Sequence, residues 1–363
     1  MNWVLIFVGF SLLIILHEAG HFCAAKATGM RVERFFLFFP PKLVSVKRGE
    51  TEYGIGAIPA GGFVKISGMN PDEVLPEGEE HRGYYQQPVW KRIVVIGAGP
   101  AVNIVLAFAI LFVLALGAND PNQTVDEIVP GSPAASVLKS GDRIVSVDGK
   151  SYSGLDSVAR LEKFFDDVGS HKCAGKPVDG CKAATPVVLR VERGGQVKTI
   201  AVRPEYEKSA RRTRIGFSYG SEPANLGVGE AASRAGDLMW EVSTRTVTVF
   251  AHLFDAEQRK EVSGVVGVSD VANQTIDKLG TERALLLLAL VSLSLGLINL
   301  FPFLPLDGGH IFWSLVEKVR GKPVAYRVME RAGALGFVLV IMLFFLGLTN
   351  DIGRLTGEGF NVR

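Results

Sequence analysis

Apolar residues dominate four stretches of the chain, each long enough for a hydrocarbon core of about 30 Å. They are Trp3 to about Ala25, Ile93 to Leu116, Ala284 to about Leu306, and Ala332 to Leu348, the shortest. The first is not a cleaved signal, because no basic stretch precedes it and charged residues interrupt its apolar run. Between the spans the pattern changes period. In Lys42–Ile58 apolar and polar residues partly alternate on both sides of Arg48-Gly49-Glu50, which predicts a hairpin. Phe63-Val64-Lys65-Ile66 adds a strand after the Pro59-Ala60-Gly61-Gly62 break. Phe35 to Pro41 is too apolar for an aqueous loop, so the sheet is expected to dip into the membrane, buried against protein. Residues 70–90 are acidic, contain Pro and Gly, and read as an irregular loop. Further on, Asp126–Val129, Arg143–Val147, Pro186–Glu192 and Lys198–Val202 are strand-like and Ser157–Asp167 is helical in pattern, so 122–205 reads as a small α/β module. Glu230–Phe254 fits a helix lying along the membrane surface.

Composition agrees with this division. Of 363 residues 48% are apolar and 21% charged, against roughly 25% charged in soluble domains. The 39 Lys+Arg and 37 Asp+Glu must therefore sit outside the spans. The chain is a membrane protein with a sizeable soluble part, not a disordered chain, a collagen-like repeat or a disulfide-stapled mini-protein. A net charge of +2 makes no case for a nucleic-acid partner. Orientation follows from Lys and Arg in the short loops. The segment from Lys26 to Arg92 carries ten and that from Asp307 to Arg331 carries five, while the tail after Leu348 has only Arg354 and Arg363. Both basic loops are expected on the cytoplasmic side, and both termini and the 117–283 segment outside. Cys173 and Cys181 then lie where oxidation is permitted and are expected to pair, whereas Cys23 stays a thiol.

The chemistry sits in the first span, as His17-Glu18-Ala19-Gly20-His21. Positions i and i+4 share one helix face, so the two imidazoles can hold one metal, with Glu18 about 100° round the helix as general base. Charge inside a span costs roughly 2.5–3.5 kcal/mol on insertion scales and marks function by default. Catalytic zinc takes three protein ligands and one open position. The other intramembrane acid is Asp307, in Asn299-Leu-Phe-Pro-Phe-Leu-Pro-Leu-Asp307-Gly-Gly-His310. Spans 1 and 3 cross in the same direction, and these residues lie near the ends of both, so they share a depth nearer the cytoplasmic face. His310 is the rival third ligand, beyond the Gly pair. Asn299 could donate to a substrate carbonyl or oxyanion, or bond another helix. For Asn103, in Gly99-Pro100-Ala101-Val102-Asn103, packing is the leading reading. His81, His171 and His252 read as ordinary surface residues.

Two strings, Val-Pro-Gly-Ser-Pro-Ala-Ala-Ser at 129–136 and Ser-Gly-Asp-Arg-Ile-Val-Ser-Val-Asp-Gly-Lys at 140–150, make 122–205 resemble a PDZ domain. More broadly, the chain resembles the site-2 protease family of intramembrane zinc metalloproteases, in particular the bacterial regulator-of-sigma-E protease type. The matching strings are His-Glu-Ala-Gly-His at 17–21, Gly-Gly-Phe-Val-Lys at 61–65, Gly-Pro-Ala-Val-Asn at 99–103, Ser-Gly-Val-Val-Gly-Val at 263–268, and Gly-Leu-Ile-Asn-Leu-Phe-Pro through Leu-Asp-Gly-Gly-His at 296–310. The resemblance implies zinc held by His17, His21 and Asp307, with Glu18 as base. It also implies cleavage of single-span membrane proteins such as anti-sigma factors, after a first cut outside. This chain has room for one PDZ domain where some relatives carry two, and the Cys-containing insert departs from the family pattern.

The resulting expectation is a polytopic α-helical protein of the bacterial cytoplasmic (inner) membrane, with about four transmembrane helices. Its parts are helix 1 with the zinc motif (1–25), a cytoplasmic-side β-hairpin region (26–92), helix 2 (93–117), one extracytoplasmic PDZ domain (122–205), an extracytoplasmic linker with an amphipathic segment (206–283), helix 3 with the third ligand (284–310) and helix 4 (332–348). A substrate helix must unwind before it is cut, and the hairpin, through Gly62, Phe63 and Val64, could hold the unwound stretch as an added strand. The partners are then the lipid bilayer, single-span membrane proteins, and a peptide or a substrate's outer portion at the PDZ domain. A non-proteolytic membrane scaffold presenting a PDZ domain is the alternative. A metal transporter is a third reading, disfavoured because one cluster offers no path of successive sites.

Overall fold

The computed structural model describes residues 2–356 except 71–72, 153, 156, 209, 211 and 253–264. Ser263 and Gly264 of one family-like string, and Arg363 of the tail, lie outside the described residues. Two compact units emerge, one of residues 1–115 with 229–363 and one of 116–228.

Among the described residues, four helices of the first unit are long and apolar enough to cross a membrane: Val4–Ala27, Val89–Leu116, Glu282–Asn299 and Arg327–Gly353. They belong to α1 (Asn2–Ala27), α2 (Val89–Leu116), α5 (Val265–Asn299) and α7 (Tyr326–Thr356). The helix expected to reach residue 306 stops at Asn299, and Asp307 opens a separate helix, α6 (Asp307–Arg320). The reason is local. Pro302 and Pro305 donate no N–H, and each pushes the residue before it out of helical geometry. The 300–306 stretch then folds back so tightly that a Cβ on Gly308 would overlap the backbone of Leu300 and Phe301.

The basic segment after α1 is a sheet, built from β1 (Val32–Arg48) and β2 (Thr51–Ile66). The turn falls at Gly49-Glu50, with Gly49 at φ 60°. Each long strand bends, so the sheet has four rows. Residues 42–48 pair with 51–56, and 32–39 pairs with 51–58 on one side and 62–66 on the other. The expected hairpin is therefore half the sheet, and Phe35–Phe39 lies in one of its two inner rows. Gly62, Phe63 and Val64 lie in an outer row. Leu43, Val44, Val46, Ile55 and Ile58 are exposed. A cluster of Ala25, Met30, Val32, Ile66, Tyr84, Val95 and Ile96 packs the sheet against α1 and α2.

The expected surface helix is α4 (Val228–Ala251). Its small face, with Ala231 and Ala235 buried, packs on Leu111 of α2 and Ala289 of α5.

The second unit is a sheet of order β10-β3-β4-β6-β7 with β5 beside β4. Its strands are β3 (Asn119–Ile128), β4 (Arg143–Val147), β5 (Lys150–Ser151), β6 (Val187–Arg193), β7 (Gln196–Val202) and β10 (Phe217–Pro223). A short pair, β8 (Glu205–Glu207) with β9 (Arg212–Arg214), stands apart. Val187, Leu189 and Val191 alternate inward along β6 and meet Phe164 and Val168 of α3 (Ser157–Ser170). The unit runs past residue 205, because β10 pairs with β3 and brings Phe217 and Tyr219 onto Phe164. Asp142, 1% exposed, is held by two hydrogen bonds of 2.6 Å from Arg193, which keeps its carboxyl below the usual carboxylate range. Cys173 and Cys181 are bonded, with Cα atoms 6.2 Å apart, and Cys23 is a free thiol.

Candidate active site

His17 and His21 stand one turn apart on α1 and are both 7% exposed. Asp307, the first residue of α6, reaches both. His17 Nε2 and His21 Nε2 are 3.2 Å apart, and Asp307 Oδ2 lies 3.2 Å from the first and 3.3 Å from the second. Among the described residues these three form a group able to hold a metal ion, and His310 is not in it.

The donor set fits zinc. A tetrahedral centre with bonds of about 2.0–2.1 Å has ligand atoms about 3.3–3.4 Å apart, which is the edge of this triangle. The tautomer of His21 also agrees. Its Nδ1 lies 2.9 Å from the Val95 carbonyl, which can only accept, so Nδ1 carries the proton and Nε2 presents a lone pair.

Elements around the triangle fix it. Gly99 of α2 faces the His21 ring so closely that a Cβ there would overlap it. Arg92, also on α2 and 2% exposed, donates to Glu317 of α6 at 2.6 and 3.0 Å, so the helix bearing Asp307 is tied to α2. The rings of Tyr84 and Tyr85 face the same guanidinium. His310 instead lines a cavity of about 430 Å³ with Tyr84, Tyr85, Arg92 and Trp313.

Glu18 lies within electrostatic reach of His17, His21 and Asp307, and interacts with the backbone of Val64. A Cβ on Gly62 would come 2.9 Å from Glu18 Cγ and 3.0 Å from the Phe36 carbonyl, so only glycine lets this row pass the glutamate. Phe63 stacks on Phe36 and Phe39, with centroids 5.4 and 6.2 Å away. The structure thus brings Gly62 and Val64 to Glu18 and keeps Phe63 in the sheet's own ring stack. Asn299 donates to the Leu295 carbonyl at 3.0 Å, closing the last turn of its own helix.

Sequence reasoning missed two partners. Asn103, read there as a packing residue, is fully buried with Nδ2 3.4 Å from His17 Nδ1. The Val95 carbonyl has no side-chain signature at all. The legible signal was spacing, since residues 95, 99 and 103 recur at i+4 and line one face of α2.

Residues 5–343 match peptidase family M50. Zinc metalloprotease Rip1 of Mycobacterium tuberculosis is 31% identical over 399 residues, covering 93% of this chain and 94% of that one. The Rip1 of Mycolicibacterium smegmatis is 31% identical over 373 residues, with 90% and 88% covered. A Clostridium perfringens protein whose name places it among zinc metalloproteases is 31% identical over 349 residues, with 95% and 96% covered. Among solved structures, the PDZ domain of an SdrC-like protein from Listeria monocytogenes aligns with 27% of this chain and 87% of its own, at 20% identity and a TM-score of 0.21, too low to carry an inference.

Proposed function

The chain belongs to peptidase family M50, the site-2 protease family, and is a zinc metalloprotease; from that premise we propose that it cuts single-span membrane proteins, such as anti-sigma factors, inside the bilayer after a first cut outside. The observation that carries this reading is the converged triangle of His17, His21 and Asp307 with Glu18 beside it. A scaffold that only presented a peptide-binding domain would have no use for three metal-ligand side chains, two of them buried, turned on one point.

His17, His21 and Asp307 would hold the zinc. When bound, the ion supplies a Lewis acid that polarises the scissile carbonyl and acidifies water. Glu18 takes the proton from the attacking water and returns it to the leaving amide nitrogen. The outer row of the sheet, Gly62 to Ile66, takes a substrate stretch that has unwound as an added strand at the glutamate. Asn299 uses one amide hydrogen on Leu295 and has another for a substrate carbonyl.

The exposed apolar rows of the sheet, with Leu43, Val44 and Ile55, sit in the cytoplasmic leaflet of a bacterial inner membrane. The 116–228 unit lies outside the cell membrane as a PDZ-like domain that filters substrates by the size or the end of their outer portion.

The test is zinc content plus cleavage of a model span by the full chain in detergent. Glu18→Gln should keep stoichiometric zinc and lose turnover about 10²–10⁴-fold, as expected when a general base is removed. Retained turnover in that variant, or no zinc in the parent chain, would refute the proposal. Asp307→Asn should lose zinc and activity together. Unchanged zinc there, with His310→Ala emptying the site, would reassign the third ligand.

A further inference from the structure

This inference rests on the ligand reading just given and adds a residue to it. A histidine that ligates through Nε2 must keep its proton on Nδ1, and the acceptor of that proton sets both tautomer and ring orientation. His21 has such an acceptor in the Val95 carbonyl. Among the described residues, His17 Nδ1 has its hydrogen-bond contact with the Asn103 amide, at 3.4 Å.

Asn103 has no exposed surface, and its place is fixed from three sides. Its backbone carbonyl accepts from Ser292 Oγ of α5 at 2.9 Å. A Cβ at Gly296, on the same helix, would come 3.4 Å from Asn103 Cβ. On the third side stands His17. The atom nearer His17 Nδ1 is the amide nitrogen, and Asn103 Oδ1 is buried without a donor among the described residues. As it stands, Nδ2 donates to Nδ1, which moves the imidazole proton to Nε2, the atom that must bind. A half-turn of the amide exchanges its two ends. It places Oδ1 on Nδ1–H, gives the orphaned oxygen its donor, and frees the Nε2 lone pair. Amide oxygen and nitrogen are told apart only by such a network.

We propose that Asn103 is the positioning residue of His17: its side-chain oxygen accepts the Nδ1 proton and holds His17 in the metal-binding tautomer. Helix α2 would then orient both histidines, one through a backbone carbonyl and one through a side chain two turns on.

Zinc affinity of the full chain in detergent, measured by chelator competition, tests this without reference to activity. Asn103→Leu keeps the volume and removes the acceptor, and should weaken zinc about 10–100-fold, the usual cost of a lost outer partner. Asn103→Asp keeps an oxygen in place and should bind within a few-fold of the parent. Wild-type affinity in Asn103→Leu, or equal loss in Asn103→Asp, would overturn the proposal. Should Asn103→Leu not fold, ¹⁵N spectra of the zinc-stripped parent chain decide, where His17 must carry its proton on Nδ1 and an Nε2–H tautomer overturns the assignment. His17→Ala separates this claim from its premise. If that variant keeps its zinc, the ligand set is wrong and the role of Asn103 falls with it. If zinc is lost there but unchanged in Asn103→Leu, only the role of Asn103 is wrong.

Discussion

The helical unit and the 116–228 unit are built on opposite rules. In 116–228, large apolar side chains face one another: Val187, Leu189, Val191, Phe164 and Val168 are buried while Val188 of the same strand is exposed. This is hydrophobic burial from water, with the buried Asp142 paired to Arg193. In the helical unit many large apolar side chains point outward, beside the apolar cluster that packs the sheet on α1 and α2. Val4, Leu5, Val8, Val105, Val338 and Phe345 are all more than half exposed. Between its helices the interior also holds His17, His21, Arg92, Asn103 and Ser292, brought close by Gly99 and Gly296. Lipid tails are as apolar as leucine, so helices in a bilayer associate through small residues and polar bonds. The difference teaches where function is exposed to mutation. In one unit the packing residues carry only stability, whereas in the other they are the same residues that shape the reaction centre.

That contrast can be attacked directly. Gly99→Ala adds a single methyl to α2, a change that should raise intrinsic helix propensity by about 1 kcal/mol. Because that methyl would overlap the His21 ring, we expect zinc binding to fall at least tenfold while the helices remain formed. Chelator competition alongside circular dichroism reads both. Normal zinc affinity in Gly99→Ala would mean that packing and chemistry are separable in the helical unit after all. The matching change in the other unit is Phe164→Ala. Phe164 is 3% exposed and touches Phe165, Phe217 and Tyr219. Its loss should destabilise 116–228 by about 3–5 kcal/mol, seen as an earlier thermal transition or faster proteolysis of that unit. Zinc content should not change, since none of the proposed ligands lies in that unit. A loss of zinc would break the contrast from the other side.

The same contrast explains what was legible in the sequence. His17, Glu18, His21 and Asp307 stand out because each is an ionisable group in a greasy stretch, an anomaly that needs no fold to be seen. Pro302 and Pro305 are helix breakers in any context, yet the apolar run carries the span to about Leu306, and that α6 would begin at Asp307 itself was not legible. The partners that hold these groups were hidden. Val95 acts through a backbone carbonyl, and Arg92 meets Glu317 across 225 residues of sequence. The row order of the sheet was hidden as well. Local alternation marks strands and the Gly49 turn, but it does not say that 32–39 pairs on both sides. In 116–228 the inward alternation of β6 was readable. The return of Phe217–Pro223 to β3 was not, because it is a pairing of distant strands joined through residues of no strong pattern.

The smallest effect concerns two carboxylates that arginines hold, one in each unit. Glu50 at the sheet's turn accepts from Arg82 at 2.8 Å twice and from Lys26 of α1 at 2.5 Å. Hydrogen bonds from Arg82, ahead of those from Lys26, pull its carboxyl from 4.5 down to about 2. A depressed folded-state value means that the stabilisation is complete above 4.5 and is lost as pH falls toward about 2. Asp142 is lowered likewise by Arg193, but from 3.8, so its contribution begins to fade at lower pH. Mild acid should therefore loosen the Arg48–Thr51 turn before it weakens the 116–228 core. Both ends of Glu50's network are partly solvated, with side chains about a quarter to a third exposed, so the loss should be modest and screened by salt. Hydrogen exchange of the turn amides, followed from neutral pH to about 3 after correction for the intrinsic exchange rate, reads it out. Glu50→Gln should flatten that pH dependence and leave exchange in β6 as it was. If the turn of Glu50→Gln still loosens in acid as the parent does, the contacts of Glu50 with Arg82 and Lys26 are not what holds the turn.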